Sequence, residues 1–384
     1  MSNSERPKLS LYIHIPFCAR KCLYCDFLSA PASKETQNYY VDALLTEIEQ
    51  TGKTYREYQV ITVFIGGGTP SLLSAGEIDS ILCKLKESYQ INADAEITIE
   101  INPGTVDIHK LKTYKKCGIN RLSIGLQSAN DTELERLGRI HSFQDFKETY
   151  EAARKVGFSN INVDLMSAIP GQTKESYEKT LNTVLFMKPE HISAYSLIVE
   201  EGTPFASMEI DIPDEETDRQ MYEETDTRLQ ADGFHRYEIS NYAKSGYECR
   251  HNKIYWTRGN YVGLGLGAAS MVRNVRWSNE RKIEEYANRV AGLKVDHRQF
   301  QPLSRNDQIE EFMFLGLRLV KGVSKQKFIE FFGCRMEELY GNVIDKFVRE
   351  GLLFDGDNLQ LTKFGMDVSN YVMADFLLED NVEE

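Results

Sequence analysis

The chain has 384 residues, of which 41% are apolar and 27% are charged, and its formal net charge at pH 7 is −13. The length predicts two or three domains, and the acidic balance argues against non-specific nucleic-acid binding, which depends on Lys and Arg contacts with phosphates. No apolar run approaches the roughly 20 residues that span a bilayer, and residues 1–8 lack the apolar segment of a signal peptide. We therefore expect a cytoplasmic protein that does not span a membrane, while a peripheral membrane contact stays open.

The first 208 residues alternate short apolar strands with amphipathic helices. The predicted strands are Leu9–Phe17, Val60–Ile65, Ala95–Ile101, Arg121–Gln127, Asn160–Met166 and His191–Val199. The predicted helices are Lys34–Gln50, Ala75–Tyr89, Ile108–Cys117, Phe143–Val156 and Lys174–Met187. Such alternation favours parallel strands joined by right-handed crossovers. Six units predict an α/β fold, a partial (β/α)6 TIM-like barrel over residues 1–208, with a doubly wound sheet as the alternative.

The regular alternation ends after residue 208. Glu209–Asp226 contains nine acidic residues and one arginine, which predicts a solvent-exposed helix. The following stretch, Phe234–Met271, is strand-like, and residues 209–300 are predicted to extend the barrel. Residues 301–384 are mostly helical and end in two short apolar runs around Asp355–Asn358, which predict a hairpin. We interpret this last part as an α+β, winged-helix-like domain.

Three cysteines lie close together near the N-terminus. Cys18, Cys22 and Cys25 have the spacing C-x3-C-x2-C. A [4Fe-4S] cluster normally takes four cysteine ligands, so a three-cysteine loop would leave one iron without a protein ligand. A structural zinc site needs four ligands, and the only nearby fourth candidate is His14, which we interpret as structural support. A zinc-stabilised binding module stays an alternative, whereas seven cysteines, an odd number, argue against a disulfide framework.

Polar residues follow several of the predicted strands. Gly66–Pro70 comes after the second strand, and Glu100, Gln127 and Asp164 lie in or at the end of the next three. Because the carboxyl ends of parallel barrel strands meet at one face, these groups are predicted to share a ligand site. The alternative is that they only satisfy buried backbone groups.

Together these motifs resemble the radical SAM superfamily and, within it, the oxygen-independent coproporphyrinogen oxidases and their relatives. The resemblance implies that Cys18, Cys22 and Cys25 hold a [4Fe-4S] cluster, and that the amino and carboxylate groups of S-adenosylmethionine (SAM) bind the remaining iron. It further implies SAM contacts from Tyr12, Tyr24, Gly68, Thr69, Glu100, Gln127, Arg139 and Asp164, with Ile198 and Ala269 near positions that pack on the cofactor.

One position departs from the oxidase pattern. Those oxidases carry a further cysteine two residues after the third, where this chain has Phe27. The chain instead resembles the HemW group of haem chaperones, whose H-N-x-x-Y-W motif matches His251-Asn252-x-x-Tyr255-Trp256. This resemblance implies haem as a bound partner, an unidentified haem-acceptor protein, an electron donor and a homodimer. His251 is then a candidate haem ligand, or a hydrogen-bonded core histidine. An oxidase acting in porphyrin biosynthesis is the alternative function.

Overall fold

The computed structural model describes residues 6–378. Residues 1–5, part of the segment used above against a signal peptide, lie outside the described residues. So do residues 379–384, at the end of the predicted C-terminal domain.

The observed strands are β1 (Lys8–Ile15), β2 (Gln59–Gly67), β3 (Gln90–Ile101), β4 (Arg121–Gln127), β5 (Ile161–Ser167), β6 (His191–Ser196), β7 (His235–Glu238), β8 (Asn241–Ala243), β9 (Tyr261–Leu264), β10 (Ala269–Val272), β11 (Val275–Ser278), β12 (Gln301–Pro302), β13 (Val323–Ser324), β14 (Leu353–Asp355) and β15 (Asn358–Leu361). The α-helices are α1 (Lys34–Thr54), α2 (Ala75–Ser88), α3 (Ile108–Lys116), α4 (Asp131–Arg136), α5 (Phe143–Val156), α6 (Lys174–Met187), α7 (Glu215–Ala231), α8 (Arg250–Trp256), α9 (Ile283–Val290), α10 (Arg305–Leu317), α11 (Lys325–Phe332), α12 (Met336–Arg349), α13 (Lys363–Asp367) and α14 (Ser369–Ala374).

Strands β1 to β6 lie side by side in chain order, and each neighbouring pair is parallel. The predicted partial (β/α)6 arrangement is therefore confirmed. The sheet continues beyond β1 through β9, which is parallel to it, to β10, β11 and β12, and beyond β6 through the antiparallel strands β8 and β7. Because β12 and β7 lie at opposite edges, the sheet does not close into a barrel.

The two faces of the parallel strands differ in polarity. In β4, Leu122, Ile124 and Leu126 are fully buried in the same apolar core as residues of the surrounding helices. Alternate positions of that strand, Arg121 and Ser123, face two cavities on the other side of the sheet. Since successive side chains of a strand point to opposite faces, this alternation gives the sheet an apolar outer face and a polar inner face. The inner face carries the candidate site.

The C-terminal part has its own core. Helices α10 to α12 pack with a three-stranded antiparallel sheet of order β13-β15-β14. Strands β14 and β15 form the predicted hairpin, so the α+β character of this part is confirmed. Among the helices of residues 6–378, none combines the length and apolar character needed to cross a membrane.

Candidate functional site

A cavity lies at the carboxyl ends of strands β1 to β5, and we refer to it as the cysteine cavity. It brings together Cys18, Cys22 and Cys25 from the loop after β1 with polar residues from the next four strands. Its further lining residues are Arg20, Tyr24, Phe27, Gly67, Gly68, Thr69, Pro70, Glu100, Ile101, Asn102, Ser123, Gly125, Gln127, Arg139 and Asp164. Of the eight predicted SAM contacts, all but Tyr12 therefore line one cavity. Ile198 and Ala269 are not among its lining residues.

Backbone and side-chain hydrogen bonds fix the loop that carries the cysteines. The Cys18 N–H donates to the Ala30 carbonyl at 3.2 Å, and the Ala30 N–H donates to Pro16 at 3.0 Å. His14 Nε2 lies 2.9 Å from the Leu28 carbonyl, to which it must donate. Its Nδ1 then accepts from the Tyr12 hydroxyl at 3.0 Å. This geometry agrees with the supporting role predicted for His14.

The donor set of the loop, three free cysteines with hydrogen-bond donors beside two of their sulfurs, fits an iron–sulfur cluster. Within residues 6–378 no group of three or more His, Cys, Asp or Glu side chains is arranged to hold one metal ion. Thr69 Oγ1 lies 3.6 Å from the Cys18 sulfur, and Arg139 Nη1 lies 3.7 Å from the Cys22 sulfur. Hydrogen bonds to ligand sulfurs are among the features that tune such clusters.

Two glycines let the β2 end approach the cysteine loop closely. Gly67 has a φ of +112°, and a Cβ there would lie 2.6 Å from the His14 ring. A Cβ on Gly68 would lie 2.7 Å from the Phe17 carbonyl oxygen and 3.0 Å from the Cys18 sulfur. Larger residues at either position would therefore displace the loop, which gives the Gly66–Pro70 motif a physical reason.

Two carboxyl groups, Glu100 and Asp164, line the same cavity as the cysteines. Glu100 accepts a hydrogen bond from the Gly67 N–H at 3.0 Å. Burial and the neighbouring charge of Asp164 raise the pKa of Glu100 to about 8, and burial likewise raises the pKa of Asp164. An ammonium or hydroxyl donor would relieve this crowding of buried acids, so this part of the cavity fits the donor groups of SAM.

Gln127 and Arg139 complete the cysteine cavity. Gln127 is buried at the end of β4 with a φ of +73°, an unusual backbone conformation for a residue other than glycine. The Arg139 guanidinium donates to the Gly125 carbonyl and to Asn102 Oδ1. Its buried Nε has no partner among the described residues. A ligand oxygen could accept this hydrogen bond, and the residues present therefore fit SAM as well as the cluster.

A second cavity of about 220 Å³, the inner chamber, adjoins the first. Glu100, Ser123 and Asp164 line both cavities. The inner chamber is further lined by Tyr12, Phe64, Arg121, Asn162, Ser193, Tyr195, His251, Asn252 and Tyr255. The structure thus places Tyr12 and His251 in this chamber rather than in the cysteine cavity.

His251 is buried and both of its ring nitrogens have partners. Thr62 Oγ1 donates to Ser10 at 2.8 Å and lies 2.8 Å from His251 Nδ1, so Nδ1 must donate to Thr62. The remaining nitrogen, Nε2, therefore accepts from the Tyr255 hydroxyl at 2.9 Å. Burial and the positive charge of Arg121 lower the pKa of His251 to about 3, which keeps the ring neutral.

Sequence reasoning missed several residues of the two cavities. Asn102 and Ser123 line the cysteine cavity, and Arg121, Asn162 and Ser193 line the inner chamber. The signal that could have found them is the period-2 alternation of the strands, because these residues share strand faces with Glu100, Gln127 and Asp164 or face the same chamber.

Comparison with known proteins agrees with this geometry. Residues 12–184 match the radical SAM superfamily, and residues 303–368 match the HemN C-terminal domain. A protein named heme chaperone HemW from Bacillus subtilis (strain 168) is 37% identical over 376 residues, 96% of this chain and 99% of that protein. The heme chaperone HemW of Escherichia coli (strain K12) is 36% identical over 380 residues, covering 97% and 99%.

Among solved structures, coproporphyrinogen III oxidase (HemN) from Escherichia coli, described as a radical SAM enzyme, superposes with a TM-score of 0.86. It is 25% identical, and the match covers 97% of this chain and 90% of that one.

Proposed function

We propose that this chain, which belongs to the radical SAM superfamily and within it to the HemW family, binds a [4Fe-4S] cluster, SAM and haem and passes haem to an acceptor protein. The observation that carries the proposal is the cysteine cavity, where three cysteines and seven of the eight predicted SAM contacts line one space. The haem part rests on the curated relatives named heme chaperone that match nearly the whole chain.

The residues of the cysteine cavity have different proposed binding roles. Cys18, Cys22 and Cys25 would hold the cluster, and Glu100 and Asp164 would accept hydrogen bonds from the donor groups of SAM. A reduced cluster supplies an electron to the SAM sulfonium when both are bound. The protein contributes orientation, through the glycine-lined approach of β2, and charge balance, through the Arg139 guanidinium beside Cys22.

Apolar side chains at the cysteine cavity offer a surface for haem. Phe27, at the position of the additional oxidase cysteine, lines the cavity and is 61% exposed. Ile140 lines a neighbouring small cleft and is 62% exposed. A porphyrin buries a flat apolar face, so we propose that haem docks over Phe27 and Ile140, close to the cluster. From there it could pass to an acceptor without crossing the protein.

The first experiment is anaerobic reconstitution followed by titration with haemin, with and without SAM. We expect a saturable Soret band and, in Cys22→Ser, loss of iron and sulfide. Cys83→Ser is the matched control, because Cys83 is exposed and lies outside both cavities. Phe27→Ala should weaken haem binding, whereas Phe186→Ala, which truncates an exposed phenylalanine on α6, should not. Absence of a saturable Soret band in the unsubstituted protein would rule out haem carriage.

The proposed role of His251 as a haem ligand carries two structural conditions. Its Nε2 must leave the Tyr255 hydroxyl before it can bind iron, and the inner chamber of about 220 Å³ must open, because it is too small for a porphyrin ring as described. If His251 ligates haem, Tyr255→Phe removes that competitor and should strengthen haem binding, whereas His251→Ala should weaken it severely. His109→Ala, at an exposed histidine on α3, is the control. Unchanged affinity and spectrum in both His251→Ala and Tyr255→Phe would place the iron elsewhere.

A second candidate function is radical SAM oxidation of a coproporphyrinogen, because the HemN structure superposes over 97% of this chain. An anaerobic assay with coproporphyrinogen III, SAM and a reductant decides it. Decarboxylated product with stoichiometric 5′-deoxyadenosine, absent in Cys22→Ser, would establish the oxidase. SAM cleavage without product would count against it. The same assay with alternative reductants would identify the class of electron donor, and gel filtration of the reconstituted protein tests the proposed homodimer.

A further inference from the structure

The inner chamber contains a buried arginine side chain. Arg121 is only 2% exposed, and its guanidinium lines the chamber. Among residues 6–378 its guanidinium forms no side-chain hydrogen bond or ion pair, and its buried Nε is one of the polar atoms without a partner. Arg121 therefore differs from Arg139, whose Nη2 donates to two protein oxygens.

The nearby carboxyl groups are held by other donors. Glu96 accepts from the backbone N–H groups of Arg250 and His251, each at 3.0 Å, at the start of α8. Asp164 accepts from Asn162 Nδ2 at 2.7 Å. Burial alone would lower the pKa of Arg121, but the charges of Cys249, Glu96 and Asp164 raise it. Neither Glu96 nor Asp164 forms an ion pair with the Arg121 guanidinium.

An unpaired buried charge is costly, and it usually has a ligand or a charged partner. The planar guanidinium fork matches the two oxygens of a carboxylate or the oxygens of a phosphate. Glu100 and Asp164 face the same chamber, so one guanidinium there balances a singly charged acid better than a doubly charged phosphate. Ser193, on β6, adds a hydroxyl group to the lining.

We propose that Arg121 anchors the carboxylate of a small organic acid in the inner chamber, beside the SAM position. The chamber of about 220 Å³ has room for about seven water molecules, at roughly 30 Å³ each. That space suits an acid of a few carbons and excludes a porphyrin ring. The carboxylate could belong to a free acid or to the propionate arm of a tetrapyrrole whose ring stays outside. The inference does not rest on haem binding.

The test titrates cluster-loaded, SAM-free protein with propionate labelled with ¹³C at the carboxyl group, followed by NMR. We expect saturable binding that weakens at least tenfold in Arg121→Gln and severalfold in Arg121→Lys, which keeps the charge but loses the fork. Arg281→Gln is the control, because Arg281 is exposed on the protein surface. No saturable binding by the unsubstituted protein, or equal binding by Arg121→Gln, would overturn the proposal.

The stability of the Arg121 variants without ligand distinguishes a ligand-binding role of Arg121 from a structural one. Because Arg121 has no partner among the described residues, Arg121→Gln should unfold at no lower urea concentration than the unsubstituted protein when propionate is absent. A marked loss of stability in both Arg121→Gln and Arg121→Lys, with propionate affinity unchanged in the folded fraction, would assign a structural role and overturn the proposal.

Competition identifies the source of the carboxylate. Displacement of labelled propionate by haem, but not by haem dimethyl ester, would assign the site to a tetrapyrrole propionate. Retention of propionate in the presence of haem would assign it to a free acid. If haem does not bind, the Soret band shows it, and the propionate titration can still be interpreted. The proposals for haem binding and for Arg121 can therefore fail independently.

Discussion

Gly68→Ala is expected to disturb the cysteine loop through one added methyl group. Its Cβ would lie 2.7 Å from the Phe17 carbonyl oxygen and 3.0 Å from the Cys18 sulfur. That oxygen already accepts the Thr69 N–H at 2.7 Å, and the backbone beside it bonds to Ala30. The end of β2 therefore cannot move away from the cysteine loop without weakening the hydrogen bonds of Thr69 and of the backbone at Cys18.

The expected loss of stability in Gly68→Ala combines two effects. Overpacking of a filled site costs about 1–3 kcal/mol, and a weakened hydrogen bond adds about 0.5–1.5 kcal/mol. We expect Gly68→Ala to lower the free energy of unfolding by about 2–4 kcal/mol in total. The matched control is Gly76→Ala in the first turn of α2, where a Cβ meets nothing within 4 Å. Alanine there should raise stability by up to about 1 kcal/mol.

Urea unfolding of both variants, followed by circular dichroism, measures the difference. Iron and acid-labile sulfide are determined after identical anaerobic reconstitution. Gly68→Ala should lose cluster as well as stability, because the added methyl group displaces Cys18. Equal stability and equal iron content in Gly68→Ala and Gly76→Ala would refute the reasoning that close approach of β2 shapes the loop.

Two further predictions concern buried acids. The pKa of Glu100, raised to about 8 from 4.5 by burial and by Asp164, means that the unfolded chain releases a proton that the folded chain keeps. Stability should therefore fall between about pH 4.5 and 8, by up to about 5 kcal/mol. Urea unfolding of Glu100→Gln should show no decline in stability from this residue between about pH 4.5 and 8. Parallel plots of unfolding free energy against pH for the two proteins would contradict this. Glu47, 1% exposed, accepts from Gly265, Asn279, Tyr286 and Arg289, so Glu47→Gln should cost about 2–4 kcal/mol. Glu49→Gln, at an exposed acid on the same helix, should leave the free energy of unfolding nearly unchanged, and equal losses in the two variants would contradict the argument.

The regular half of the fold could be predicted because strand and helix periods are local properties of the sequence. Predicted helices α5 and α6 and strand β4 match the structure at both ends. Helix α4 was not predicted, since its six residues are too few to show a helical period. The order of strands β7 to β12 could not be predicted from sequence, because their pairing depends on contacts between distant segments.

Some residues of the candidate site could be predicted from the sequence and others could not, for a physical reason. Residues at strand ends, such as Glu100 and Asp164, could be grouped because parallel strands finish at one edge. Tyr12 and Arg121 lie deeper along the inner face, and only the alternation of β1 and β4 indicates which way they point. An arginine at the start of a strand is usually solvent-exposed, so the burial of Arg121 could come only from the three-dimensional fold.

Glu100, Ser123 and Asp164 form a common wall between the cysteine cavity and the inner chamber. A ligand on one side that changes the protonation of Glu100 also changes the electrostatic field on the other side. Thermodynamic reciprocity then requires that each occupant alter the affinity for the other by the same factor. Ligands that change the protonation of Glu100 from either cavity would therefore be linked in their affinities, whichever of them binds first.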